Sequence, residues 1–102
     1  MSIKKRYLKS RPMCKVTFRL DSESAQGAQH VAIVGEFNDW DIAANPMKGL
    51  KSGEFTTTLE LEVGREYQFR YLIDRKNWQN DGQADKYTYS AYANCENSVV
   101  VV

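Results

Sequence analysis

At 102 residues, 42% hydrophobic and 26% charged, the chain can close one modest core and is too short for a large enzyme barrel. No apolar run approaches the ~20 residues of a helical membrane span. The basic start has neither the apolar segment nor the cleavage site of a secretory signal, so the expected compartment is the cytoplasm.

The formal charge of +1 conceals an asymmetry. Lys4, Lys5, Arg6, Lys9 and Arg11 hold five of the fourteen basic residues, leaving nine basic against thirteen acidic residues, a net of −4, from Pro12 onward. Residues 1–12 read as a basic N-terminal arm, flexible and solvated, ahead of a single domain over residues 13–102. Nucleic acid is a poor fit as a partner, because the body's sequence shows no basic face to continue the arm.

Residues 14–20 set Cys14, Val16, Phe18 and Leu20 against Lys15, Thr17 and Arg19, the period of two of a half-buried strand. Residues 21–29 are small and polar and read as a loop. Val31, Ala32, Ile33 and Val34 then form an apolar run that fits a strand covered on both faces. Gly35 lets the backbone bend there or approach a neighbour closely, and Phe37, Asn38, Asp39, Trp40 and Asp41 follow as a loop carrying a large aromatic. Asn45, Pro46, Gly49, Ser52 and Gly53 mark residues 42–53 as turns, with Met47 and Leu50 tucked in as cover for the sheet edge.

Residues 54–63 alternate again, with Phe55, Thr57, Leu59, Leu61 and Val63 inward. Residues 65–74 put Tyr67, Phe69, Tyr71 and Ile73 on one face and Gln68, Arg70 and Leu72 on the other. Gly64 joins these two strands, which predicts a hairpin. Residues 74–82 form a loop with Trp78, residues 84–97 are polar and tyrosine-rich, and residues 99–102 close the chain as a buried strand. No helical period stands out. Short strands between turn signals predict an all-β fold, a single-domain antiparallel β-sandwich.

Two cysteines and one histidine cannot make a four-ligand zinc site or a disulfide framework, so no metal or cofactor is expected, and Cys14 and Cys95 read as free thiols. Glu36, Asp39, Asp41, Asp74 and Asp81 sit near the aromatic loops. A glycosidase needs two such groups about 5–10 Å apart across a cleft, one with a raised pKa. A small sandwich has little room for that cleft, and Asp39 and Asp41 more simply cap turns. No catalytic residue is assigned.

A binding surface fits better. Indoles carry much apolar area and are costly to expose without a use. The C–H face of a pyranose packs on an indole while its hydroxyls need donors and acceptors at the edge. Trp40 and Trp78 supply two such rings, Arg70 points off the core face as a fork of donors, and Asn97 offers an amide. The competing readings are indoles that merely fill the core or an edge, and a sandwich that recruits another protein through its exposed edges.

At these residues the chain resembles carbohydrate-binding module family 48, the early-set domain at the N-terminus of isoamylases and glycogen branching enzymes and the glycogen-binding domain of the AMP-activated protein kinase β subunit. The motifs are VAIVGEFNDWD at residues 31–41, Pro46-Met47, REYQFRYLID at residues 65–74, Trp78 with Asp81, and NSVVVV at residues 97–102. The resemblance implies an immunoglobulin-like sandwich that binds α-1,4-glucan such as glycogen or starch, catalyses nothing, and serves a glycogen-metabolising enzyme. It places the family's two stacking tryptophans on Trp40 and Trp78, its basic sugar ligand on Arg70 and its hydrogen-bonding asparagine on Asn97. Residues 87–96 depart from the family's Asn-Pro-aromatic-Gly pattern, with Tyr92 or Ala93 as the nearest counterpart of its apolar rim residue. Asp81-Gly82 stands where Asp-Pro is frequent, and Arg75-Lys76-Asn77 lengthens the loop before Trp78.

Overall fold

The computed structural model describes residues 3–91 and 95–102. Its elements in chain order are β1 (Ile3–Tyr7), β2 (Met13–Leu20), a four-residue helix α1 (Ser22–Ala25), β3 (Val31–Gly35), a 3-10 turn (Glu36–Asn38), β4 (Lys48–Gly49), β5 (Phe55–Glu62), β6 (Glu66–Ile73), β7 (Asn77–Gln79), β8 (Lys86–Ser90) and β9 (Cys95–Val101). All pairings are antiparallel. One sheet has the order β1-β2-β5-β4 and the other β3-β6-β9-β8, with β7 pairing the far half of β6.

Period-two alternation builds the core. Cys14, Val16, Phe18 and Leu20 of β2 and Phe55 and Leu61 of β5 meet Val31 and Ile33 of β3, Phe69, Tyr71 and Ile73 of β6, and Val100 of β9. The aromatic centre is Phe18 edge-on to Phe69 at 5.1 Å and Phe69 edge-on to Tyr71 at 5.8 Å, geometries the ring quadrupoles favour. The β3 run is covered on both sides as its composition predicts: Ile33 lies in the core, and Val34 is fully buried on the opposite face. Cys14 and Cys95 are free, Cys14 within the core.

Three expectations need correction. First, Ile3–Tyr7 is an edge strand and not a loose arm. Ile3 is buried opposite Phe18, and the Lys5 ammonium reaches Asp85 at 2.7 Å, which ties β1 across to the other sheet. The basic composition hid that alternation. Its Arg6 lies opposite Lys15, so the cations do continue onto the body. Second, β5 and β6 do not form a hairpin. They belong to different sheets, and Gly64, at φ 78, turns the chain from one to the other with its N–H on the Val102 carbonyl at 2.8 Å. Third, residues 21–29 hold α1, which Asp21 caps by accepting from the Ser24 N–H at 2.7 Å. Tyr92 and Ala93 lie outside the described residues.

Asp74 anchors the start of β3. Its Oδ1 accepts from the Gln29 and His30 N–H groups at 2.9 Å each, and these bonds hold its pKa below the ordinary 3.8. A depressed folded-state pKa means the unfolded chain takes the proton first as pH falls. This stabilisation is therefore present above pH 3.8 and lost as the pH drops through the lowered value. Urea unfolding across the acid range should fall less steeply for Asp74→Asn than for the parent protein; equal slopes would count against the anchor.

Candidate binding surface

The solvent side of the second sheet is assembled by register. Val34 lies opposite Arg70, Ala32 opposite Leu72, Leu72 opposite Trp78, and Gln68 opposite Val99, while Thr88 lies opposite Asn97. Cross-strand partners share a face, so Ala32, Val34, Gln68, Arg70, Leu72, Trp78, Asn97 and Val99 stand together. Val34, Leu72 and Val99 are buried although they point away from the core, so they form an apolar floor under a polar layer.

Arg70 lies in that layer with its guanidinium 4.8 Å from the Trp78 ring centroid, a cation–π stack worth about 0.5–2 kcal/mol. Trp78 is still 43% exposed. Asn97 is 3% exposed, and its Nδ2 donates to Gln68 Oε1 at 2.9 Å. Two buried polar atoms here have no partner among the described residues: the donor Nε of Arg70 and the acceptor Oδ1 of Asn97. An unsatisfied buried group costs about 1–3 kcal/mol, and two of opposite sense on one face call for a shared explanation.

Trp40 reaches the same sheet by its backbone. Its N–H bonds the Gly35 carbonyl at 2.9 Å, and Gly35 is the register partner of Phe69, next to Arg70. The loop is fixed by Asn38, which donates to the Ile33 carbonyl and to Asn45 Oδ1 and accepts from the Gly35 N–H. Asp39 and Trp40 are both left-handed, at φ 54 and φ 58. Such residues cost about 1–2 kcal/mol apiece and persist where surrounding bonds enforce them. Trp40 is 37% exposed. The structure thus puts Arg70, Trp78 and Asn97 on one face and holds Trp40, exposed, on the loop that leaves the end of β3.

Trp78 is paired to Leu72, and the residues that follow it are held by a buried network. Asp81 accepts the Tyr71 hydroxyl at 2.7 Å and the Gln83 N–H at 2.8 Å, and its own N–H donates to Ser98 Oγ at 2.8 Å. Asn80 Oδ1 accepts from both the N–H and the hydroxyl of Ser98. These bonds lock the segment after β7 onto β9. A polar depression of about 350 Å³ flanks the face past Glu36, Gln68, Tyr87 and Thr88, while a larger one of about 780 Å³ opens between the sheets at the β3 edge, bordered by Val31, Ala32, Met47, Gly49, Phe55 and Leu72.

Most of the carboxylates weighed for acid–base work are engaged elsewhere. Glu36 accepts the Gln68 N–H at 2.7 Å, Asp41 accepts the Ala43 N–H at 2.9 Å, Asp74 holds β3, and Asp81 is buried in its network. Among the described residues no three His, Cys, Asp or Glu side chains cluster as a metal site. Sequence reasoning missed Gln68. Its alternation places it on the Arg70 face, but the bond to Asn97 depends on the pairing of β6 with β9, which no local pattern reveals.

This two-sheet sandwich leaves both tryptophans partly exposed and bonds four of the five carboxylates near its aromatic loops within its own frame. The chain belongs to carbohydrate-binding module 48, the isoamylase N-terminal domain family, whose profile matches residues 9–93. No curated protein matches the chain.

Proposed function

We propose that the chain binds α-1,4-glucan, as glycogen, starch or maltooligosaccharides, on the solvent face of the second sheet. In this reading Trp40 and Trp78 are stacking platforms, Arg70 and Asn97 are polar clamps, no cofactor takes part, and no bond is made or broken. The observation that carries the reading is the pair of unsatisfied atoms, Arg70 Nε and Asn97 Oδ1, beside an exposed indole. A sugar hydroxyl donates and accepts at once, so adjacent hydroxyls can satisfy both when the two side chains ease outward. Arg70 already backs one side of Trp78, which steadies the ring while the rest meets the C–H face of a glucose unit. The polar depression past Gln68 and Thr88 gives an oligosaccharide somewhere to extend.

Open, wet surfaces of this kind bind with micromolar to millimolar dissociation constants, ~4–8 kcal/mol. The domain then serves to hold itself, or a glycogen-metabolising enzyme in the cytoplasm, on the polymer. Titration with maltoheptaose should shift the indole N–H resonances of Trp40 and Trp78 and the side-chain signals of Arg70 and Asn97. Trp78→Ala and Trp40→Ala should each weaken binding about tenfold or more, and the double variant should no longer co-sediment with glycogen. Silence at both indoles in millimolar sugar would end the proposal.

A further inference from the structure

We propose that the open edge of β1 accepts an extended acidic peptide segment as a fifth strand of the first sheet. This surface lies on the other sheet from the glucan reading and stands independently of it.

Among the described residues β1 ends the order β1-β2-β5-β4 with no strand on its outer side. Other edges differ. β4 is two residues long, and β3 is covered by the Ala32–Pro46 bridge and by bonds from Ile33 to Asn45 and from Met47 to Val31. Antiparallel ladders alternate between bonded and non-bonded pairs. The bond from the Leu8 N–H to the Met13 carbonyl sets the phase, which turns the N–H and C=O groups of Lys5 and Tyr7 to the open edge. A groove of about 410 Å³ runs beside that edge, bordered by Ile3, Lys4, Lys5, Gln83 and Asp85.

Charge selects the occupant. Lys4 and Arg6 share the outer face roughly 7 Å apart along the strand, and Arg6 lies directly opposite Lys15, a like-charge pair. The acid across from Lys15 is Glu60, but Glu60 holds Arg11 at 2.6 Å. Lys5 points the other way and is neutralised by Asp85 at 2.7 Å. An arriving strand with acids at alternate positions sets them beside Lys4 and Arg6 and lays its intervening apolar residues toward Ile3 and Tyr7. The same cations bar neutral and basic strands, including a second β1, so the edge is guarded and selective together.

The test titrates the full chain with capped Glu-Val-Glu-Val-Glu, a scrambled peptide of the same composition, and Lys-Val-Lys-Val-Lys. The alternating acidic peptide should shift the Lys5 and Tyr7 amides, slow their hydrogen exchange, and bind about fivefold or more tightly than the scrambled one. Added salt should weaken it. K4E with R6E should lose the acidic peptide about tenfold and take the basic one instead. Tyr7→Pro, which removes one outward donor and leaves the β2 ladder intact, should weaken binding with all charges kept. Equal binding of the scrambled peptide, unprotected Lys5 and Tyr7 amides, or failure of the charge-reversed pair to take the basic peptide would each overturn the proposal. So would tighter binding of duplex DNA or anionic vesicles, which marks a general polyanion face instead.

Discussion

Gly35→Ala is expected to destabilise the protein by about 3 kcal/mol, near the top of the range for forcing one carbon into a packed site. A Cβ at Gly35 would stand 2.4 Å from the Gln68 carbonyl oxygen and 2.7 Å from Phe69 Cβ. The cause is contact and not backbone strain, since Gly35 is extended at φ −170, a conformation open to any residue. Neither neighbour can swing aside. Both belong to β6, which is held by β9 along the same stretch, with Phe69 paired to Ser98 and Gln68 to Val99. If β6 does retreat, it carries Gln68 and Arg70 with it and strains the bond from the Gln68 N–H to Glu36. Urea unfolding measures the first effect and maltoheptaose titration the second. A change below about 1 kcal/mol would show that β3 and β6 pack less closely here than the structure places them.

This close approach is the best case of what the sequence makes legible. A glycine ending a buried run and followed by Phe37 and Trp40 already marks a tight junction. The inward sets of β2, β5 and β6 are equally readable, because burial on one face imposes a period of two and their inward positions are mostly apolar. What failed was whatever depends on partners distant in the chain. Gly64 between two alternating strands looks like a hairpin turn, but sheet membership is decided by where Leu61 and Phe69 pack, and they pack from opposite layers. In β1 only Ile3 is strongly apolar, while Lys5, inward-facing, finds Asp85 eighty residues away, so no local signal distinguishes this strand from a tail. The site divides in the same manner. Trp40, Trp78 and Arg70 could be named from side-chain chemistry and alternation. The Arg70–Trp78 stack, the tie from Asn97 to Gln68 and the apolar floor of Val34, Leu72 and Val99 all arise from register.

Register also explains why the largest polar effect should come from a residue that touches no solvent. Asp81 is 2% exposed and joins β6, β8 and β9 by accepting from the Tyr71 hydroxyl and giving its N–H to Ser98, while its carbonyl accepts from the Tyr87 hydroxyl at 2.5 Å. Asp81→Ala removes bonds to a charged acceptor and strands a buried phenol, a loss of about 4 kcal/mol. Tyr71→Phe removes the phenol and one bond, about 2 kcal/mol, and a double-mutant cycle should show strong coupling between the two. Asp81→Ala also removes the acceptor of the Gln83 N–H, but the bond from the Asp81 N–H to Ser98 and the Asn80–Ser98 bonds that hold the segment after β7 survive in both variants, so both should lose stability while largely keeping glucan binding.

The pair also writes a pH signature. Burial and then the Asp81 carboxylate push the Tyr71 hydroxyl well above its usual 10. Above that value the unfolded chain has released a proton that the folded protein keeps, so unfolding is increasingly favoured as pH rises. Stability should hold up to about pH 10 and decline beyond it, and Tyr71→Phe should remove part of that decline. Identical alkaline limbs in the two proteins would mean the phenol is not locked under the sheet.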